Sequence, residues 1–156
     1  MDLITDGRLG RIPVRIRVLD SGTVEAELSV PEGTCTAAVS PKGGFSVTAS
    51  SGESISPDDE GVFRAPGLCL RAMGCQRCGG SETGLFDADG NVLFRVKSFL
   101  GAMCTGTTVY VLDDVEAVRI DVRYSIEGND AVSDTKITLP DGRTFGKREV
   151  RDAFKG

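Results

Sequence analysis

Arg11-Ile12-Pro13-Val14-Arg15-Ile16-Arg17-Val18-Leu19-Asp20-Ser21-Gly22-Thr23-Val24-Glu25-Ala26-Glu27-Leu28-Ser29-Val30 is the stretch on which the fold turns. Ile12, Val14, Ile16 and Val18 alternate with Pro13, Arg15 and Arg17, and period two marks a strand with one buried face. After Asp20-Ser21-Gly22 the alternation resumes, with Val24, Ala26, Leu28 and Val30 on one face and Thr23, Glu25, Glu27 and Ser29 on the other. A three-residue loop ending in Gly suits a type I turn closed by a left-handed residue, so Gly22 sets the register of a hairpin. Val18 then opposes Val24, Ile16 opposes Ala26 and Val14 opposes Leu28. On the outer face Arg17 meets Glu25 and Arg15 meets Glu27, opposite-charge pairs worth about 0.2–1 kcal/mol each.

The pattern repeats at once. Cys35, Ala37 and Val39 alternate up to Pro41-Lys42-Gly43, a loop of the same form, and the register places Val39 opposite Phe45, Ala37 opposite Val47 and Cys35 opposite Ala49. With Pro31-Glu32-Gly33 as the connection, residues 11–50 read as a four-stranded antiparallel meander. Residues 51–61 are polar, acidic and broken by Gly and Pro, the composition of a loop or a mobile arm. Strand character returns at Val62-Phe63 and Leu68-Cys69-Leu70, then breaks over residues 74–84. A third hairpin joins Leu85-Phe86 to residues 92–96 through Ala88-Asp89-Gly90. A fourth pairs residues 107–112 with 117–124, Val118, Ile120, Val122 and Tyr124 on one face and Arg119, Asp121 and Arg123 on the other. Pro140-Asp141-Gly142 links residues 136–139 to Thr144-Phe145. Only residues 147–154 look helical, with Val150, Ala153 and Phe154 at i, i+3 and i+4 among charged residues.

The expected fold is therefore all-β and mainly antiparallel: a single domain over residues 1–156, built from hairpins as a β-sandwich or partly closed barrel with a short C-terminal helix. The chain of 156 residues, 40% hydrophobic, is long enough to bury its own core. Its 20 glycines and lack of Trp suit short strands and many turns. Acidic residues near the N-terminus and the lack of an apolar run disfavour a secretory signal, and no stretch approaches the ~18 apolar residues of a membrane-spanning helix. A soluble chain of cytosolic synthesis, free or built into a particle, is expected.

Absent chemistry narrows the function. There is no histidine, which removes Ser-His-Asp and Cys-His nucleophiles, His-ligated zinc catalysis and a His pH switch. Net charge is −5, against a general binder of nucleic acid or anionic membrane. Arg8, Arg11, Arg15 and Arg17, with Lys147, Arg148, Arg151 and Lys155, make both ends locally basic, but acids lie among or opposite them and no aromatics interleave to stack bases.

Cys75-Gln76-Arg77-Cys78-Gly79-Gly80 is the most specific motif, because two thiolates at that spacing grip one zinc ion. The remaining ligands would come from Cys69, Cys35 or Cys104, none of which forms a second C-x-x-C. The competing reading makes those three small buried hydrophobes and leaves Cys75 and Cys78 as loop residues. A redox pair of Cys75 and Cys78 lacks the adjoining βαβ unit and opening helix, which Gly79-Gly80 oppose, while a small enzyme using Cys75 or Cys78 is a third reading. Asp87-Ala88-Asp89-Gly90-Asn91 has the start of a calcium loop, but Val92 stands where its glycine belongs and Ser98 where its bidentate acid belongs, so a hairpin turn is expected. Asp58-Asp59-Glu60 and Asp113-Asp114 are acids in turns, with no nucleophile tied to them.

Leu85-Phe86-Asp87-Ala88-Asp89-Gly90-Asn91-Val92-Leu93-Phe94-Arg95-Val96, with Thr108-Val109-Tyr110-Val111-Leu112, resembles the repeating hairpins of the LURP-one-related and tubby-like proteins. That resemblance implies a closed barrel around a central apolar helix and a lipid-binding or membrane-tethering role. The one helical candidate here is short and charged. By elimination the leading expectation is a non-catalytic structural or protein-interaction subunit of a larger assembly, such as a virion or other multi-protein particle, with no firm cofactor. It would self-associate or bind a protein through a strand edge or through residues 51–61. A ligand- or lipid-binding barrel and a small zinc-stabilised interaction module are the alternatives.

Overall fold

The computed structural model describes residues 3–40, 44–77, 80–100, 104–112 and 118–152. Alternating sequence becomes alternating burial. The residues of the first hairpin form β2 (Ile12–Val18) and β3 (Val24–Val30), and Val14, Ile16, Val18, Val24, Ala26 and Leu28 are all buried. The register is the expected one, Val18↔Val24 through Val14↔Leu28, with Arg17 against Glu25 and Arg15 against Glu27. Leu19 N–H donates to Thr23 O and Gly22 N–H to Leu19 O, both at 2.9 Å, and Gly22 takes φ 88°, the left-handed backbone that the turn demands.

Two strands extend the expected meander. β1 (Leu3–Leu9) precedes it, paired with β2, and β4 (Gly33–Val39), β5 (Phe45–Thr48) and β6 (Ser54–Ile55) complete a six-stranded sheet in strict chain order. Val39↔Phe45 and Ala37↔Val47 pair as expected, the ladder ending at Thr36↔Thr48 before Cys35 and Ala49 can join it. The loop 41–43 lies outside the described residues.

The second sheet has eight strands, also in chain order. They are β7 (Val62–Ala65), β8 (Leu68–Arg77), β9 (Gly80–Asp87), β10 (Val92–Leu100), β11 (Cys104–Val111), β12 (Val118–Glu127), β13 (Asp130–Thr138) and β14 (Thr144–Asp152). Both sheets are antiparallel throughout, and one cluster of buried residues draws from both. Phe45 of one sheet and Phe94 of the other lie with ring centroids 6.2 Å apart and planes 8° from parallel. A bulge between Val92 and Phe94 lets consecutive Leu93 and Phe94 both be fully buried, which strict alternation would forbid. The expected loop or mobile arm over residues 51–61 is in part strand, since β6 belongs to the first sheet; residues 56–61 carry the chain from there to the second.

Three expectations need correction. Residues 147–154 do not begin a helix: 147–152 belong to strand β14, residues 153 and 154 lie outside the described residues, and no helix occurs among those described. A helix of two turns is marginal unless an apolar stripe packs, whereas β13 offers β14 a nine-pair ladder and brings Glu127 within 2.6 Å of Arg148. The expected break over 74–84 is also absent where described, since β8 runs on to Arg77 and β9 starts at Gly80. Gly84 is there for packing and not for a turn: a Cβ would lie 2.6 Å from the Phe86 ring. Finally, both sheets are open, edged by β1 and β6 and by β14 and β7, unlike the closed barrel around a helix that the family resemblance implies.

Asp58, expected as a solvated turn acid, organises the crossing. Its carboxylate accepts the N–H groups of Val62 at 3.0 Å and Glu60 at 2.9 Å, with the Arg64 guanidinium at 3.5 Å. Chiefly the Val62 bond, then that of Glu60 and the charge of Arg64, hold the Asp58 carboxyl below its ordinary 3.8. A carboxyl depressed in the folded state stabilises above its unfolded value and loses that contribution as pH falls through the folded one. Asp58→Asn should therefore flatten the fall in melting temperature as pH drops through and below the ordinary carboxyl range. Parallel thermal melts of the two proteins check this, and equal acid slopes would count against it.

Candidate interaction surface

Unequal strand lengths build the surface. The strands of the first sheet are at most 7 residues long, whereas β8 and β12 reach 10. At one end the two sheets are level: the β1–β2 turn at Gly10 abuts the β9–β10 turn, a Cβ on Gly10 falling 2.9 Å from the Asn91 amide. The three extra residues, about 10 Å of strand, must then project from the opposite end. Burial follows suit along β12, where Val118, Ile120 and Val122 are covered while Tyr124 and Ile126, next on the same face, are 37% and 56% exposed. Lys147 of β14 marks the boundary, donating from Nζ to Asp20 O of the β2–β3 turn at 3.1 Å.

β14 is the free edge of this projecting sheet. All its residues except Phe145 are exposed, Val150 at 54%. Arg148 reaches into the sheet, to Glu127 at 2.6 Å and Asp134 at 3.8 Å, while Lys147 pairs along the strand with Glu149 at 3.0 Å. Lys147, by hydrogen bond and then by charge, holds the Glu149 carboxyl below its ordinary value.

The outer face of the same sheet is polar and internally balanced. Arg95, Arg119 and Lys97 stand 4.9, 5.6 and 5.7 Å from the centre of the Tyr110 ring, whose negative face attracts cations. Glu82 lies 3.5 Å from Arg95, and Asp121 lies 3.0 Å from Arg119 while accepting the Thr108 hydroxyl at 2.8 Å. The Asp121 carboxylate raises the Arg119 guanidinium above its ordinary value. Each cation with an acid beside it is satisfied within the sheet, so this cluster stiffens the face more than it offers a site.

The cysteines are dispersed where their side chains are described. Cys35 is buried in the shared core beside Leu28. Cys69 is half-buried in β8 between core-facing Leu68 and Leu70, hence on the opposite face of the second sheet. Those two do not meet. Cys75 stands opposite Glu82 in β8 and Cys104 opposite Ser125 in β11, their side chains outside the described residues, as is all of Cys78. Among the described residues no group of three or more Cys, Asp or Glu could hold a metal ion. Asp87 closes a hairpin turn, its carboxylate accepting the N–H groups of Asp89 and Asn91 and the Asn91 amide. Asp113 and Asp114 lie outside the described residues.

No family model, curated protein or solved structure matches this chain. Among the described residues no helix is long and apolar enough to cross a membrane. The edge at β14 escapes sequence reasoning because its two faces are both exposed, so no apolar alternation announces a strand. The signal that was present is the run Arg148-Glu149-Val150-Arg151-Asp152, whose signs reverse about Val150.

Proposed function

We propose that this chain is a non-catalytic interaction subunit of a larger protein assembly, a β-sandwich of two meanders that associates through the projecting part of its longer sheet. One observation carries the reading: the sheet runs past its own core and leaves Tyr124, Ile126, Val150 and a nine-residue edge strand exposed. Natural sheets cover, shorten, bend or charge such edges; β14 is neither short nor covered, and its charges, of both signs, suit a complementary strand as well as solvent. The absence of histidine agrees with a role that needs no proton shuttle at neutral pH.

Native mass spectrometry of protein purified without chelator tests the proposal. Species holding more than one copy are expected, and a single-copy species at every attainable concentration would overturn assembly by this chain alone. The same spectrum tests structural zinc at Cys75 and Cys78, which would add one metal mass per chain and disappear on chelation.

A further inference from the structure

We infer, building on the assembly role proposed above, that the partner of the β14 edge is a second copy of this chain, paired antiparallel about a two-fold axis through Val150. The ladder to β13 fixes which backbone groups face outward. Leu139 N–H donates to Arg143 O at 2.9 Å, so that pair is hydrogen-bonded toward β13. Antiparallel pairs alternate between bonded and non-bonded, and the register continues as Thr138↔Thr144, Ile137↔Phe145 and on to Asp130↔Asp152. Phe145, Lys147, Glu149 and Arg151 therefore bond inward to β13. The N–H and C=O groups of Arg148 and Val150 face away from β13, toward an incoming strand.

Side chains then select the register. Sheet extension keeps faces together, so in a two-fold pairing some residue must stand opposite its own copy. Centred on Val150, Arg148 opposes Asp152 of the second copy and Glu149 opposes its Arg151, each pair occurring twice, with Val150 against Val150. Every charge from Arg148 to Asp152 meets its opposite, and the bonded pairs are those whose backbone groups point outward. Centred on Arg148, two Lys147–Glu149 pairs form but Arg148 opposes itself. Centred on Glu149, that acid opposes itself and Lys147 meets Arg151. Centres at Lys147, Arg151 and Asp152 each set a charge against its copy, and a centre at Gly146 makes no opposite-charge pair within β14. Like charges directly opposite are destabilising, so Val150 is the favoured centre. The pairing joins two eight-stranded sheets and closes the exposed edge with a two-fold contact that cannot propagate into a filament.

Sedimentation equilibrium on the full chain tests this register. Arg151→Glu, at an exposed position, sets Glu against Glu149 twice and should raise the dimer dissociation constant at least about tenfold. Adding Glu149→Arg restores both pairs with signs exchanged and should return the constant to within about threefold of the parent's. A register centred on Arg148 forecasts the reverse, a silent Arg151→Glu and a weakened double variant, because Lys147 would then face Arg. Val150→Pro removes an outward N–H that β13 does not use, so it should abolish the dimer while circular dichroism stays unchanged. A dimer that ignores all three changes overturns the edge pairing and leaves the assembly role standing. A monomer at every concentration overturns the edge pairing and, with it, assembly by this chain alone.

Discussion

Phe94→Ala is expected to lower the free energy of unfolding by about 3–5 kcal/mol, measured by urea denaturation with the slope unchanged. Phe94 is fully buried, and its ring stacks against Phe45 across the gap between the sheets. The loss combines the transfer free energy of an aromatic side chain with the cavity it leaves, and collapse is resisted because the bulge holds Leu93 and Phe94 inward together. Leu93, Val96 and Val111 are likewise buried in the shared core, so no flexible surface side chain can swing in to refill the space. Phe45→Ala should cost less, since that ring is only partly buried at the core's margin. If Phe94→Ala cost under about 1 kcal/mol, the two sheets would not depend on this contact for their association.

Legibility in the sequence tracked burial. Residues 12–30 could be placed to the exact register because one face of each strand is apolar and Gly22 pins the turn, so a slip of one residue would bury Arg15 and Glu27. The hairpins at Ala88-Asp89-Gly90 and Pro140-Asp141-Gly142 were equally plain, for the same turn reason. β1 was missed because Gly7 and Thr5 dilute its inward face, and Ile4, an exposed residue, sits on the outward one. β14 was missed because neither of its faces is buried, so three apolar residues at helical spacing outweighed a ladder that only β13 reveals. Over 74–84 glycine reads as a breaker, whereas Gly84 makes room for the Phe86 ring. The interaction surface follows the same logic in reverse. It arises from a difference in strand length between two sheets, a property of the pairing that no local pattern records. Only the sign reversal about Val150 lies in the sequence itself, and it acquires meaning once those residues form an edge.

Gly61→Ala should destabilise by about 2–4 kcal/mol, far more than the same change at another turn glycine. Gly61 has φ 80°, where an L side chain costs about 1–2 kcal/mol. Space adds a second cost, because a Cβ would stand 2.7 Å from the Ala72 carbonyl oxygen. That oxygen is backbone, and it is tied in place: Ala72 N–H donates to Gly61 O at 2.8 Å, and Ala72 sits in β8 opposite Leu85. Relief would require moving β8 or breaking the bond that joins the crossing segment to the second sheet. Gly52 separates the two effects. It has φ 87° and the same turn hydrogen bonds, but a Cβ there meets nothing within 4 Å. Gly52→Ala should therefore show the backbone cost alone, about 1–2 kcal/mol. A difference between the two variants measures how rigidly the crossing is held against β8, and equal losses would mean that residues 56–61 can shift away from the sheet without penalty.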